Sequence, residues 1–263
     1  MNSPCTLTIL GTCSGTEPMP GRHHTSIAVE YDNRTFWLDA GESCSHTAYV
    51  GGVNLPATEA IFISHTHMDH IGGLPNLIWT LQKLTRVTQE ARDRLTDRNI
   101  RIFIPDLRVW QAMMTFVSDD GGQFNAPFRL DARQCTDGVL FDDGGVRVRA
   151  LRNSHLGEAD PPISFSFRID VDGRSLVFSG DVVHVSELEP LLDDTDLLLM
   201  ETGHHQVGEV CDWVRNCDKR IDRLVFIHHG RTVLHDPAGQ LMKAQAILGD
   251  RVLIADDGTR LQL

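Results

Sequence analysis

Short apolar runs that end at a polar residue recur along the chain. They fall at Leu7 to Leu10, Ser26 to Tyr31, Thr35 to Leu38, Ile61 to Ser64, Ile100 to Ile104, Val146 to Leu151, Ser164 to Ile169, Ser175 to Ser179, Leu197 to Met200 and Leu224 to Ile227. Their length and β-branched content predict strands. Apolar positions at the 3.6-residue period predict helices over Leu74 to Leu95, Leu107 to Val117, Val207 to Asn216 and Pro237 to Leu248. The two kinds of segment interleave, with no Ser/Gly/Pro-rich linker, low-complexity tract or internal repeat between them. The pattern predicts an α/β chain folding as one domain over residues 1–263. Asp172-Gly173, between two strand-like runs, is a hairpin signal. The stretch Thr85 to Asn99, dense in Arg, Thr and Asp, is expected to be a solvated helix face or connection.

Composition narrows the class. Apolar residues make up 41% of the chain and charged residues 23%, the balance of an ordinary globular protein. No apolar run approaches the roughly 20 residues of a membrane span, which excludes a helical membrane protein. The start, Met1-Asn2-Ser3-Pro4-Cys5, lacks the basic and apolar regions of a secretory signal. The six cysteines (Cys5, Cys13, Cys44, Cys135, Cys211, Cys217) form no C-x-x-C pair. That spacing fits reduced thiols, and a cytoplasmic location is expected. A net charge of −12 repels a polyanion over most of the surface, so a small-molecule substrate is favoured over nucleic acid.

The densest chemistry follows the run Ile61-Phe62-Ile63. In Ser64-His65-Thr66-His67-Met68-Asp69-His70, three imidazoles and a carboxylate fall within six residues. Residues i and i+2 of extended chain share a side, so His65 and His67 can grip one metal while the turn that follows lets Asp69 and His70 face a second. These donors suit Zn²⁺ and also serve Mn²⁺ or Fe.

An H-x-H-x-D-H motif after a strand resembles the signature of the metallo-β-lactamase superfamily, and other stretches match that family in order. Leu10-Gly11-Thr12 with the loop to Arg22 resembles the opening of the ribonuclease Z-like branch, and Leu38-Asp39-Ala40-Gly41-Glu42 resembles its acidic motif at a strand end. His155, Asp181 (in Ser179-Gly180-Asp181) and His228 each follow a predicted strand. The resemblance implies a four-layer αββα fold, two mixed β-sheets packed face to face with helices outside. It implies two divalent metal ions, most simply Zn²⁺, with His65, His67 and His155 on one, Asp69, His70 and His228 on the other, and Asp181 bridging. It also implies a homodimer. His228 and His229 are adjacent and alternate along a strand, so only one is expected to reach the metal, and His228 is the expected ligand. Gly230-Arg231 resembles a shortened form of the small residue and Arg that follow this histidine in the branch. Asp39 is expected to hydrogen-bond a ligand loop rather than touch metal. His23, His24, His46, His184 and His235 are read as surface or satisfied histidines.

Two metal ions about 3.5 to 4 Å apart can hold a bridging hydroxide and aim it at a phosphorus or a carbonyl carbon. No G-x-S-x-G elbow offers a competing serine nucleophile. Glu201-Thr202-Gly203-His204-His205 resembles the Glu and His pair that assists leaving-group protonation in ribonuclease Z-like enzymes. Asp69, Glu201 and His205 are therefore the expected catalytic groups. The branch points to a phosphodiester. Its tRNA-processing members commonly carry an extended arm between the stations matched by His155 and Asp181. Here 26 positions separate the two, and Pro161-Pro162 with the hairpin fill most of them. A small or cyclic phosphodiester is expected rather than tRNA, with residues 78–134 as a pocket-covering insertion. A carboxylic ester, lactone or sulfate ester would suit the same nucleophile. A metal-retaining ligand sensor with little turnover is the alternative of another class.

Overall fold

The computed structural model describes residues 4–118 and 124–263. Its strands are β1 (Thr6–Gly11), β2 (Ser26–Tyr31), β3 (Arg34–Ala40), β4 (Thr58–Phe62), β5 (Asn99–Ile104), β6 (Arg129–Gln134) and β7 (Gly138–Asp143), followed by β8 (Val146–Arg152), β9 (Phe165–Val171), β10 (Arg174–Phe178), β11 (Thr195–Thr202), β12 (Ile221–His229), β13 (Val252–Ile254) and β14 (Arg260–Gln262). They form two seven-stranded sheets, ordered β14-β1-β2-β3-β4-β5-β6 and β13-β12-β11-β10-β9-β8-β7. Both are mixed. β3 to β6 run parallel in the first, as do β10 to β13 in the second; the antiparallel pairs join strands consecutive in the chain, except β1 with β14, which brings its two ends together.

Alternation along each strand divides the apolar residues into layers. Ile27, Phe36, Leu38 and Phe62 from the first sheet meet Phe167, Leu176, Phe178, Leu199 and Ile227 from the second. Phe62 stacks on Phe103 with ring centroids 5.0 Å apart and tilts against Phe167 at 5.9 Å. On the outer face of the first sheet lie α1 (Cys44–Val50), α2 (Met68–Ile71), α3 (Leu74–Val87), α4 (Gln89–Leu95) and α5 (Leu107–Val117), where Leu77, Ile78 and Leu81 cover Trp37, Ile61 and Ile63. On the second lie α6 (Val207–Asn216), α7 (Arg231–His235) and α8 (Pro237–Leu248), where Val207, Val210 and Ala244 cover Val177, Leu198, Met200 and Phe226. The four-layer αββα arrangement expected from sequence is present. Leu197-Leu198-Leu199-Met200 reads as an unbroken apolar run because β11 is buried on both faces.

Several elements differ from expectation. The predicted helix Leu74 to Leu95 breaks at Thr88, which turns extended, ends α3, and caps α4 by accepting the Ala91 N–H at 3.2 Å. β6, at a sheet edge, carries polar residues on alternating positions, so its strand state comes from pairing rather than from its own apolar content; β7 holds only a short apolar stretch before Asp142-Asp143, and β13 and β14 are three residues long, too short to stand out as runs. Residues 78–134 supply most of α3 together with α4, β5, α5 and β6, two strands of the first sheet and part of its helical cover. Residues 119–123 of that span lie outside the described residues. Asp172 (φ 50°) and Gly173 (φ 73°) form the expected two-residue turn between β9 and β10. No helix among the described residues is long and apolar enough to cross a membrane.

Candidate metal centre

The loops leaving the C-terminal ends of β4, β8, β10 and β12 converge on one rim of the sandwich. His65 and His67 follow β4, and Asp69 and His70 lie in α2. His155 follows β8, Asp181 follows β10, and His228 lies at the end of β12. The donor atoms of His65, His67 and His155 lie within 4.8 Å of one another, as do those of Asp69, His70 and His228. Asp181 stands between the two groups. Its Oδ2 is 3.8 Å from His65 Nε2 and 3.7 Å from His155 Nε2, while its Oδ1 is 3.4 Å from His70 Nε2 and 3.0 Å from His228 Nε2. All seven expected metal-binding residues are thus brought together.

The donor set fits divalent ions on two counts. His70 Nε2, His228 Nε2 and Asp181 Oδ1 are buried with no hydrogen-bond partner, a costly state for polar atoms unless something else meets them. The charge balance agrees. Burial by itself would lower the His70 pKa, but the carboxylates of Asp181 and Asp39 outweigh it and hold that pKa well above the imidazole norm. Burial would likewise raise Asp181, yet the neighbouring imidazoles of His228 and His70 keep it well below the usual carboxylate range. Two buried acids call for a cation at this point, and a metal meets that demand. His65, by contrast, is held neutral, its pKa pushed far down by burial and by His70.

Neighbouring groups orient these rings. His70 Nδ1–H donates to Asp39 Oδ2 at 2.6 Å. Ser64 donates to the same carboxylate through its N–H (2.6 Å) and its hydroxyl (2.7 Å), and the hydroxyl oxygen lies 3.1 Å from His65 Nδ1. The Thr25 hydroxyl lies 3.1 Å from His228 Nδ1. For His70 and His228 the far nitrogen, Nε2, has no hydrogen-bond partner and is left for a ligand, while His65 Nε2 faces His67 Nδ1 at 3.1 Å. Ser64 adjoins the histidine motif and was open to recognition. Thr25 lies 203 positions from His228, and no local pattern marks it.

Backbone geometry aims two of these side chains. Asp39 is an extra residue between the pairs Ile27↔Leu38 and Ser26↔Ala40, and His228 is an extra residue between Glu201↔Ile227 and Thr202↔His229. Both bulge residues are left-handed, with φ of 56° and 47°, at a cost of about 1–3 kcal/mol each. Simple alternation does not describe His228 and His229. The bulge turns His228 to the site, while His229 is buried with Nδ1 2.9 Å from Thr202 Oγ1 and Nε2 2.9 Å from the Ala255 carbonyl.

Glu201, fully buried at the end of β11, receives the His204 N–H at 2.8 Å and faces His204 Nδ1 at 3.2 Å. This contact raises the His204 pKa. His204 is 3.7 Å from Asp181 Oδ2 and lines the cavity. His205, the residue expected from sequence, turns its Nε2 to the Val182 carbonyl at 3.0 Å and is not among the cavity-lining residues. The cavity, about 380 Å³, is walled on its other side by Ser14, Thr16 and Arg231, the last paired with Glu17 at 2.6 Å. None of the described residues of 78–134 lines it. His23 is held by Asp257 at 3.0 Å.

A family model described as the Beta-lactamase superfamily domain matches residues 34–229, which include every residue of the two candidate ligand groups. Among curated relatives, the ribonuclease Z of Mycolicibacterium paratuberculosis is 25% identical over 297 residues, covering 98% of either chain. Two solved structures share the fold. The metallo-beta-lactamase fold protein YhfI from Bacillus subtilis superimposes with a TM-score of 0.77 at 17% identity, covering 99% of this chain and 100% of that one. The short form of human tRNase Z gives 0.67 at 21%, covering 97% and 98%. With a matched family domain running from β3 to the end of β12, this chain belongs to the beta-lactamase superfamily and is a metallo-β-lactamase-fold hydrolase of the ribonuclease Z-like branch.

Proposed function

We propose that the chain hydrolyses a small or cyclic phosphodiester with two divalent metal ions, Zn²⁺ in the first instance. His65, His67 and His155 hold one ion, Asp69, His70 and His228 the other, and Asp181 is shared. The observation that carries this reading is the division of the Asp181 carboxylate, one oxygen toward each group. Such a pair of ions, when bound, supplies Lewis acidity and ionises water at neutral pH. Asp69, in the cavity wall, orients the attacking water, and His204, held by Glu201, delivers a proton to the leaving oxygen. Ser14, Thr16 and Arg231 give the cavity a polar, partly cationic wall suited to a phosphate oxygen. The tight Asp172-Gly173 turn and the net charge of −12 support a small substrate over a folded RNA. The same reading carries a cytoplasmic location, supported by six free cysteines, and a homodimer, supported by exposed Trp79 and Phe116 beside one groove of the first helical layer.

Elemental analysis and a substrate panel test this together. Purified protein is expected to hold two ions per chain and to cleave bis-aryl and cyclic phosphodiesters faster than aryl ester, lactone, sulfate ester or a pre-tRNA with a 3′ trailer. Asp181→Ala is expected to lose both ions and the activity. Full metal content in that variant would sink the shared-ligand assignment. Faster cleavage of the pre-tRNA would move the substrate to RNA, and binding without turnover on every substrate would make the chain a sensor.

A further inference from the structure

We propose that Glu187 is a positioning residue of the metal centre, its carboxylate tying the loop that carries His155 to the loop that carries Asp181. The inference rests on the metal reading above. His155 and Asp181 leave from β8 and β10, which are separated by β9. Among the described residues, no backbone hydrogen bond joins 153–157 to 180–184. Glu187, in the short 3-10 turn Val185–Leu191, spans that gap. Its Oε2 accepts the N–H (2.6 Å) and hydroxyl (2.9 Å) of Ser154, the neighbour of His155. Its Oε1 accepts the N–H groups of Val183 (3.0 Å) and His184 (2.7 Å), just beyond Asp181.

Capping its own turn would occupy only one of these oxygens, since a Glu three residues into a helix commonly bonds back to the residue before it. The second oxygen reaches a residue 33 positions earlier, and that bond does nothing for the cap. Four donors on an ionised carboxylate also use its accepting capacity in full. The Asp181 loop is held from the other side as well, because His205 Nε2 donates to the Val182 carbonyl. Below the loops, Ser166 on β9 accepts from Asn153 Nδ2 (3.1 Å) and donates to the Ser179 carbonyl (2.5 Å), so the strand ends stay linked without Glu187. What Glu187 adds is the spacing above them, where His155 Nε2 and Asp181 Oδ2 stand 3.7 Å apart. Asp181 is shared by both groups, but its loop is also held through Val182 and Ser179, whereas His155 belongs to one group only, so Glu187 bears chiefly on the ion of His65, His67 and His155.

The test is stepwise competition between a chelator and Zn²⁺-loaded protein, with the melting temperature of each metal-free form measured alongside. Glu187→Gln keeps the shape but turns one acceptor into a donor facing N–H groups. It is expected to weaken one ion by about 10–100-fold, the range for a residue that orients a ligand, and to leave the other within a few-fold. His155→Ala is the reference for which ion that is, and the two substitutions should not be additive. Ser154→Ala, which removes one bond and spares the cap, should weaken the same ion by less. Unchanged affinity for both ions in Glu187→Gln, or equal loss of both, overturns the proposal and leaves Glu187 a helix cap that affects only the metal-free melting temperature. Should the Glu187 variant not fold, Ser154→Ala decides: selective loss supports the tie and no loss overturns it. Wild-type protein that fails to bind two ions overturns the metal reading itself, before any variant is compared.

Discussion

His70, His65 and His228 each turn Nε2 toward the site because a neighbour engages Nδ1: Asp39, Ser64 and Thr25 respectively. Asp39 holds the most, receiving His70 together with the N–H and hydroxyl of Ser64. Asp39→Asn keeps the volume but removes the charge and half the accepting capacity. Metal affinity, read by chelator competition, is expected to fall by about 10–100-fold. His204 and His205 differ in the same way, by what their rings meet. His204→Ala is expected to lower kcat on an alkyl phosphodiester by about 10²–10⁴-fold, and far less on a bis-aryl phosphate whose leaving group needs no proton. His205→Ala, which breaks the tie to Val182 and a 3.5 Å contact with Glu201 but removes no cavity-lining ring, is expected not to produce that contrast. Equal effects of His204→Ala on both substrates would remove it as the acid. At this scale the sequence supplied the dense motif at His65 to His70 but not the choice between His204 and His205. Neighbours in sequence share a composition, and only the turn after β11 decides which ring faces the cavity.

Strands and their junctions set the spacing on which those contacts depend. Asp196 locks β10 to β11, accepting the Ser175 N–H (2.8 Å) and hydroxyl (3.2 Å) and the Arg174 guanidinium (2.8 Å). Burial would raise its pKa, but the Arg174 and Ser175 bonds outweigh that and lower it. A carboxyl depressed in the folded state contributes stability above its unfolded pKa of about 4, and that contribution is lost as pH falls through the folded value. Denaturant midpoints of metal-free protein should therefore drop less between neutral and acid pH in Asp196→Asn than in wild type. An identical drop in both would show that the clamp does not titrate with folding. The strands expected from apolar runs are present because those runs are buried on one or both faces. β6, with the sequence Arg-Leu-Asp-Ala-Arg-Gln, was not legible, since its pairing with β5 supplies what its own side chains do not. The bulges at Asp39 and His228 were hidden for a related reason. A left-handed φ in a non-glycine residue is imposed by the surrounding sheet and leaves no mark in the residue itself.

In the whole molecule, the three apolar layers and the metal-binding rim are separate constructions. The layers bury large side chains such as Trp37, Phe62, Phe167 and Phe226, none of which belongs to the seven proposed ligands. Chelation is accordingly expected to lower the melting temperature while far-UV circular dichroism at 25 °C keeps its folded form. Re-adding Zn²⁺ at a hundredfold excess over its dissociation constant should restore about 2.7 kcal/mol. Loss of secondary structure on chelation would mean that the ions hold the fold together. The sequence by itself determined the interleaved strands and helices and the ligand-dense motif, because strand alternation, helix period and ligand density are local properties that survive without the fold, while the four layers were implied by the resemblance to a known family. It also gave the order of the stations His65 to His70, His155, Asp181 and His228 along the chain. The tertiary structure alone decided that Asp181 turns one oxygen to each group, that His228 rather than His229 faces them, and that Glu187 joins two loops separated by a strand. Those outcomes depend on bulge dihedrals and on contacts between residues tens to hundreds of positions apart, which form only when the two sheets close on each other.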